Sequence, residues 1–172
     1  MDFDLNDEQR DLRDAARRYL EREAPIGYAR AMMDDERGYR DEVWKQMAEQ
    51  GWLALPLPAE YEGLDLGAIA LSILLAEMGR VVAPGPYLST VLAGMAIADA
   101  GSDDQRRALL PRIASGDLIA TIAASSSSRS SGETEFFRSG RLSVSFRTPA
   151  WSSTRRMSLT VPSPAPPLRA NV

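Results

Sequence analysis

Gly67 to Ala76 is an almost unbroken apolar stretch, and it opens a longer run to Val81 that has the character of one helix. Through Ile69, Leu71, Ile73, Leu74 and Leu75 its apolar side chains point nearly all round. A helix of that kind lies in the middle of other elements. At about ten residues the apolar run falls well short of the roughly 20 needed to cross a bilayer. Its cover is therefore expected to be protein, and the rest of the chain predicts what that cover is.

Helices precede and follow it. Asn6 is a good N-cap, and Gln9 three residues on completes a capping-box pattern. Leu12, Ala15, Ala16, Tyr19 and Leu20 then recur at helical spacing until Pro25 ends the run. The polar stretch Asp34-Asp35-Glu36-Arg37-Gly38 reads as a loop. A second helix is expected from about Asp41 to Gln50, with Val43, Trp44, Met47 and Ala48 as its apolar stripe and Gly51 as its stop. Pro56 and Pro58 forbid a continuous helix through the next segment, whose apolar content predicts that it packs down.

After the central helix, Pro84 and Pro86 introduce a fourth, about Tyr87 to Ala100, rich in small residues (Ala93, Gly94, Ala96, Ala98). Ser102-Asp103-Asp104-Gln105 is a second capping box, with acidic residues in the turn where the helix dipole favours them. This last helix runs through Leu109 and Ile113 and stops at Gly116. Leu118 to Ala123 is expected to form a short buried strand.

At Ser125 the chain changes character. Residues 125–172 hold 13 serines, no lysine and the cluster Pro162, Pro164, Pro166, Pro167. Such a composition buries too little apolar surface to offset its chain entropy, so disorder is expected. The organisation predicted is an all-α domain over 1–124 and a low-complexity tail over 125–172. Charge divides at the same place. Residues 1–124 carry 13 Lys+Arg against 22 Asp+Glu, whereas the tail carries seven arginines against Glu133 and Glu135. The acidic body should be repelled by nucleic acid and by anionic lipid.

The 172 residues contain neither cysteine nor histidine. Disulfides, thiol nucleophiles, thiolate or imidazole metal sites and Ser/His/Asp catalysis are thereby excluded. Acid–base chemistry would fall to carboxylates, Lys45, tyrosines or a cofactor. The acidic opening Met1-Asp2-Phe3-Asp4 is unlike a signal peptide, and a cytoplasmic location is expected.

Several segments in order carry a resemblance. Leu5-Asn6-Asp7-Glu8-Gln9-Arg10 is followed by Val43-Trp44-Lys45-Gln46-Met47-Ala48-Glu49-Gln50-Gly51-Trp52. Leu57-Pro58-Ala59-Glu60-Tyr61-Glu62-Gly63-Leu64 and Ala76-Glu77-Met78-Gly79 come next. Gly101-Ser102-Asp103-Asp104-Gln105 and Leu110-Pro111-Arg112-Ile113-Ala114-Ser115-Gly116-Asp117 complete the series. Together they resemble the N-terminal helical domain of acyl-CoA dehydrogenases over nearly all of residues 1–124. One departure is Glu62, where that family usually has glycine.

The resemblance implies an oxidoreductase fold and setting: a helical domain ahead of a β-rich middle domain and a C-terminal four-helix domain. It implies FAD as cofactor, an acyl-CoA thioester as substrate, a homo-oligomer and a place in fatty-acid or lipid metabolism. In that family the flavin takes a hydride from the β-carbon while a carboxylate takes the α-proton. Neither the family's flavin loop nor its catalytic carboxylate has a match in this chain. No catalytic, cofactor-binding or metal residue is therefore assigned, and the chain alone is expected to be inactive. By rough alignment, acyl-chain contacts fall near Tyr87, Leu88 and Val91, which simple core packing would also explain.

Glu77 invites a catalytic reading, but a hydrogen-bonded carboxylate at a helix end is the plainer one. Trp44 and Trp52 are expected to anchor the core. Gly63, Gly67 and Gly79 do not have the spacing of a dinucleotide fingerprint. The tail's Arg, Ser, Pro and Ala are what a GC-rich gene gives in a wrong frame. If Ala150-Trp151-Ser152-Ser153-Thr154-Arg155 were encoded GCG TGG TCG TCG ACG AGG, dropping two bases would give Val-Val-Val-Asp-Glu, so a frameshift near Ala124 is expected. Two functional classes stay open: an acyl-CoA dehydrogenase-type flavoenzyme present in part, or a non-catalytic helical interaction module with a basic tail.

Overall fold

The computed structural model describes residues 4–125, 141–147 and 155–160, with side chains over 4–122. Its order is α1 (Asp7–Glu23), α2 (Ile26–Met32), α3 (Asp41–Glu49), a 3-10 turn (Ala59–Tyr61), α4 (Gly67–Arg80), α5 (Tyr87–Ala100) and α6 (Asp103–Ala114). Then follow β1 (Ile119–Ser125), β2 (Arg141–Arg147) and β3 (Arg155–Thr160). The body is helical, as the sequence predicts. Both capping boxes form: Asn6 accepts from the Gln9 amide at 2.8 Å, and Ser102 from the Gln105 amide at 3.3 Å. Each is worth about 1 kcal/mol to its helix.

Two apolar clusters make the core. The first gathers Ala16, Tyr19 and Leu20 of α1, Val43, Trp44 and Met47 of α3, Leu71, Leu74 and Met78 of α4, and Tyr87 and Val91 of α5. The second gathers Leu57, Ala93 and Ile97, Leu109, Leu110 and Ile113, Leu118 and Ala120. Helix α5 thus supplies both. The segment between α3 and α4 packs down as expected, burying Leu53, Leu55 and Leu57. It closes on itself through the amides of Leu64, Asp65 and Leu66, which donate to the carbonyls of Ala54, Leu57 and Leu55.

Three features differ from the sequence expectation. Pro25 ends α1 and also begins α2, a helix the sequence analysis does not assign, because a proline's fixed φ suits a helix start as well as a stop. Helix α4 is not wrapped on all sides: Leu71, Leu74 and Met78 face the core while Ile69 is 59% exposed. Finally, β1 pairs antiparallel with β2, and β2 with β3, in the order β1-β2-β3. The backbone of β2 and β3 is extended where composition alone predicts no regular structure. Leu142, Val144 and Phe146 do alternate with polar residues, a period too short to stand out in the serine-rich segment. The expectation of disorder for the rest of residues 126–172 lies outside the described residues.

Candidate functional site

Glu77 is the most deeply buried carboxylate of the described side chains. It sits in the last turns of α4 with its side chain 6% exposed. Arg17 of α1 grips both oxygens, Nη2 donating to Oε1 at 2.7 Å and Nε to Oε2 at 3.0 Å. Arg80 Nε adds a third bond to Oε2 at 3.0 Å, and its Nη2 donates to Glu21 at 2.7 Å. The Arg17 fork, helped by Arg80, holds the Glu77 carboxyl below its ordinary pKa against the opposing effect of burial. A general base for neutral pH needs a carboxyl tuned upward and a free lone pair aimed at substrate. Glu77 has neither, and it acts as the ionic tie between α1 and α4.

Tyr19 and Tyr87 offer no base either. Burial pushes Tyr19 up to about 12, and pushes the Tyr87 phenol higher still. Tyr19 donates to Gln46 at 2.9 Å, and Tyr87 to the Trp52 carbonyl at 2.9 Å. Trp44 and Trp52 are the core anchors expected. Trp44 donates its indole N–H to the Gly116 carbonyl at 2.8 Å, and Trp52 meets Tyr19 edge to face at 5.1 Å.

The three residues expected to line an acyl chain separate. Tyr87 and Val91 share one face of α5 and sit in the first core cluster. Leu88 points the other way, 48% exposed, on the same face as exposed Leu92 one turn on. Leu64 and Leu66, just before α4, are exposed as well. Their positions follow from helical spacing: i and i+4 share a face, i and i+1 do not.

A cleft lies between α2, α3 and the Pro84–Pro86 turn, lined by Tyr28, Tyr39, Arg40, Trp44, Met47 and Tyr87. Its cavity volume, about 10 Å³, is a water-sized space, far below the roughly 300–1,000 Å³ of pockets that hold drug-sized ligands. Arg40 is also committed there, its guanidinium 5.1 Å from the Tyr28 ring and its amide donating to the Tyr28 hydroxyl. No buried side-chain polar atom among the described residues lacks a partner and so asks for a ligand. A flavin dinucleotide does not fit the groups described. Among the described residues no set of three acidic side chains is gathered to hold a metal ion, and no helix is long and apolar enough to cross a membrane.

The helical body as a whole matches known proteins. A family model described as acyl-CoA dehydrogenase, N-terminal domain, matches residues 6–117. Acyl-CoA dehydrogenase IpdE2 of Mycolicibacterium smegmatis is 30% identical over 119 residues, 69% of this chain and 37% of that protein. A solved steroid ACAD variant, Tcur3481-Tcur3483, superposes with a TM-score of 0.60 at 36% identity, covering 64% of this chain and 30% of that one. An acyl-CoA dehydrogenase of Bacillus anthracis solved with FAD shares the fold with a TM-score of 0.60 at 17% identity, over 83% of this chain and 27% of its own. The chain spans about a third of the length of these relatives. On the match of more than half its length, it belongs to the acyl-CoA dehydrogenase family, in the N-terminal helical domain of that family.

Proposed function

We propose that this chain supplies the helical N-terminal part of an acyl-CoA dehydrogenase-type flavoprotein carrying out α,β-dehydrogenation of an acyl-CoA thioester. The observation that carries the reading is the unbroken run of matched elements from α1 to the end of α6. FAD is the cofactor this reading implies, held by parts of a complete enzyme other than the residues described. Taken alone, the chain then neither retains FAD nor turns over substrate: the one well-buried carboxylate among the described residues is bound up by Arg17 and Arg80. Leu88 is the proposed acyl-chain contact, with Tyr87 and Val91 on the opposite, core-facing side of α5. Homo-oligomerisation and a cytoplasmic setting belong to the same proposal. One solved relative is a steroid ACAD, which makes ring-bearing acyl-CoA esters the first thioesters to assay.

A chimera tests this. Residues 1–124 would replace the corresponding segment of the Mycolicibacterium smegmatis relative, and flavin absorbance and dye-linked dehydrogenation of acyl-CoA would be measured. A yellow, active chimera is expected, beside a colourless and inactive parent chain. A folded chimera without flavin or turnover would overturn the reading. Flavin retained by the parent chain after desalting would overturn the assignment of FAD elsewhere.

A second reading has one observation in its favour. Leu64, Leu66, Ile69, Leu88 and Leu92 expose apolar surface of the kind that marks an interaction site. A non-catalytic helical module would bind through these residues and leave the chimera colourless.

A further inference from the structure

Thr90 lies inside α5 and is completely buried. A threonine there ordinarily turns its hydroxyl back onto its own helix, as the neighbouring Ser89 does by donating to the Pro86 carbonyl at 3.0 Å. Thr90 does not. Its hydroxyl donates to the Ala120 carbonyl at 3.2 Å and accepts from the Ala120 amide at 3.3 Å. Both backbone groups of one strand residue are satisfied by one side chain.

We propose that Thr90 is a register lock: its hydroxyl stands in for a neighbouring strand and fixes the phase in which β1 leaves the helical body. The inference concerns how the strand is launched and does not depend on the dehydrogenase reading. In an antiparallel ladder alternate residues direct both backbone groups away from the partner strand. Ala120, opposite Phe146 of β2, directs both towards Thr90, on the edge that β2 leaves open. The preceding outward residue, Leu118, is held too, its amide donating to the Arg112 carbonyl at 3.0 Å.

Burial and side-chain size weigh against the alternatives. A slip of one residue would exchange buried Ala120 for exposed Thr121 and turn every following side chain to the other face. A slip of two keeps the faces but brings Leu118 or Ile122 to the buried position of Ala120 in the second cluster. Either would have to fit three more carbons into a position that is 1% exposed with a methyl in it. Thr90 recognises the backbone, and the small site recognises the residue.

Site-resolved hydrogen exchange on the full chain tests the lock, comparing wild type, Thr90→Val and Thr90→Ser, with the Leu118 amide as internal control. Valine keeps the shape and removes donor and acceptor together; serine keeps both. Protection of the Ala120 amide relative to Leu118 should fall by about tenfold in the valine variant and persist in the serine variant. The close α-proton contact between Ala120 and Phe146 should weaken only with valine. Unchanged relative protection and an unchanged contact in Thr90→Val would overturn the proposal. So would a wild-type Ala120 amide that exchanges as if unbonded, which needs no variant to fold.

Discussion

Glu62 has a backbone φ of 64°, in the left-handed region, at the end of the 3-10 turn. Its side chain is exposed and forms no hydrogen bond or ion pair among the described residues, so nothing visible compensates. A residue with a Cβ costs about 1–2 kcal/mol in this region, and glycine avoids it. Glycine also loses more freedom on folding, which offsets about 0.4–1 kcal/mol. Glu62→Gly should therefore stabilise the chain by roughly 0.5–1 kcal/mol. In a domain of this size that is a rise in melting temperature of about 1–4 °C. Urea unfolding followed by circular dichroism should show a higher midpoint at unchanged slope. Glu62→Ala is the control: it removes the charge from an acidic body but keeps the Cβ, and should gain nothing. An equal gain in both variants would show that charge repulsion was relieved, and that the backbone explanation is wrong. No gain in Glu62→Gly would refute the strain directly.

Three further outcomes are expected. Glu77 has a depressed folded-state pKa, so its contribution is present above the unfolded value of 4.5 and is lost as pH falls below that through the folded value. Glu77→Gln should cost about 1–3 kcal/mol at neutral pH, the freed arginines being half-exposed and able to rehydrate, and should flatten the acid limb of a stability–pH curve. Gly63→Ala should cost about 3 kcal/mol or more in a chemical melt, because the added Cβ would land on the Leu57 carbonyl, backbone that cannot swing aside. Leu88→Gln with Leu92→Gln should shift the chain towards monomer in light scattering while leaving its melting temperature within about 2 °C.

Helix grammar made much of the body legible. The two capping boxes mark the starts of α1 and α6, and the prolines at 84 and 86 mark that of α5, because those signals act within one turn of chain. Helix α2 was hidden because its seven residues bury a single large side chain, Tyr28, too little for a periodic stripe. Glu77 was readable as a structural carboxylate, yet its chief partner was not, since Arg17 lies 60 residues away. The separation of Leu88 from Tyr87 and Val91 was implicit in their spacing, though which face met the core depended on packing that no local pattern encodes. The glycine usual to the family at position 62 gains its reason only from the left-handed φ that the backbone adopts there.

Helix α5 carries Tyr87 and Val91 on one apolar cluster and Ala93 and Ile97 on the other. Leu57 of the second cluster lays its methyls against Gly94 of the same helix. Neither cluster can come apart without stripping one side of this helix, so the two halves have no independent way to open. Amides of α1 and α6, at opposite ends of the helical body, should then exchange through one shared opening event instead of two foldons. A lesion on either side of α5 would be felt at full strength on the other.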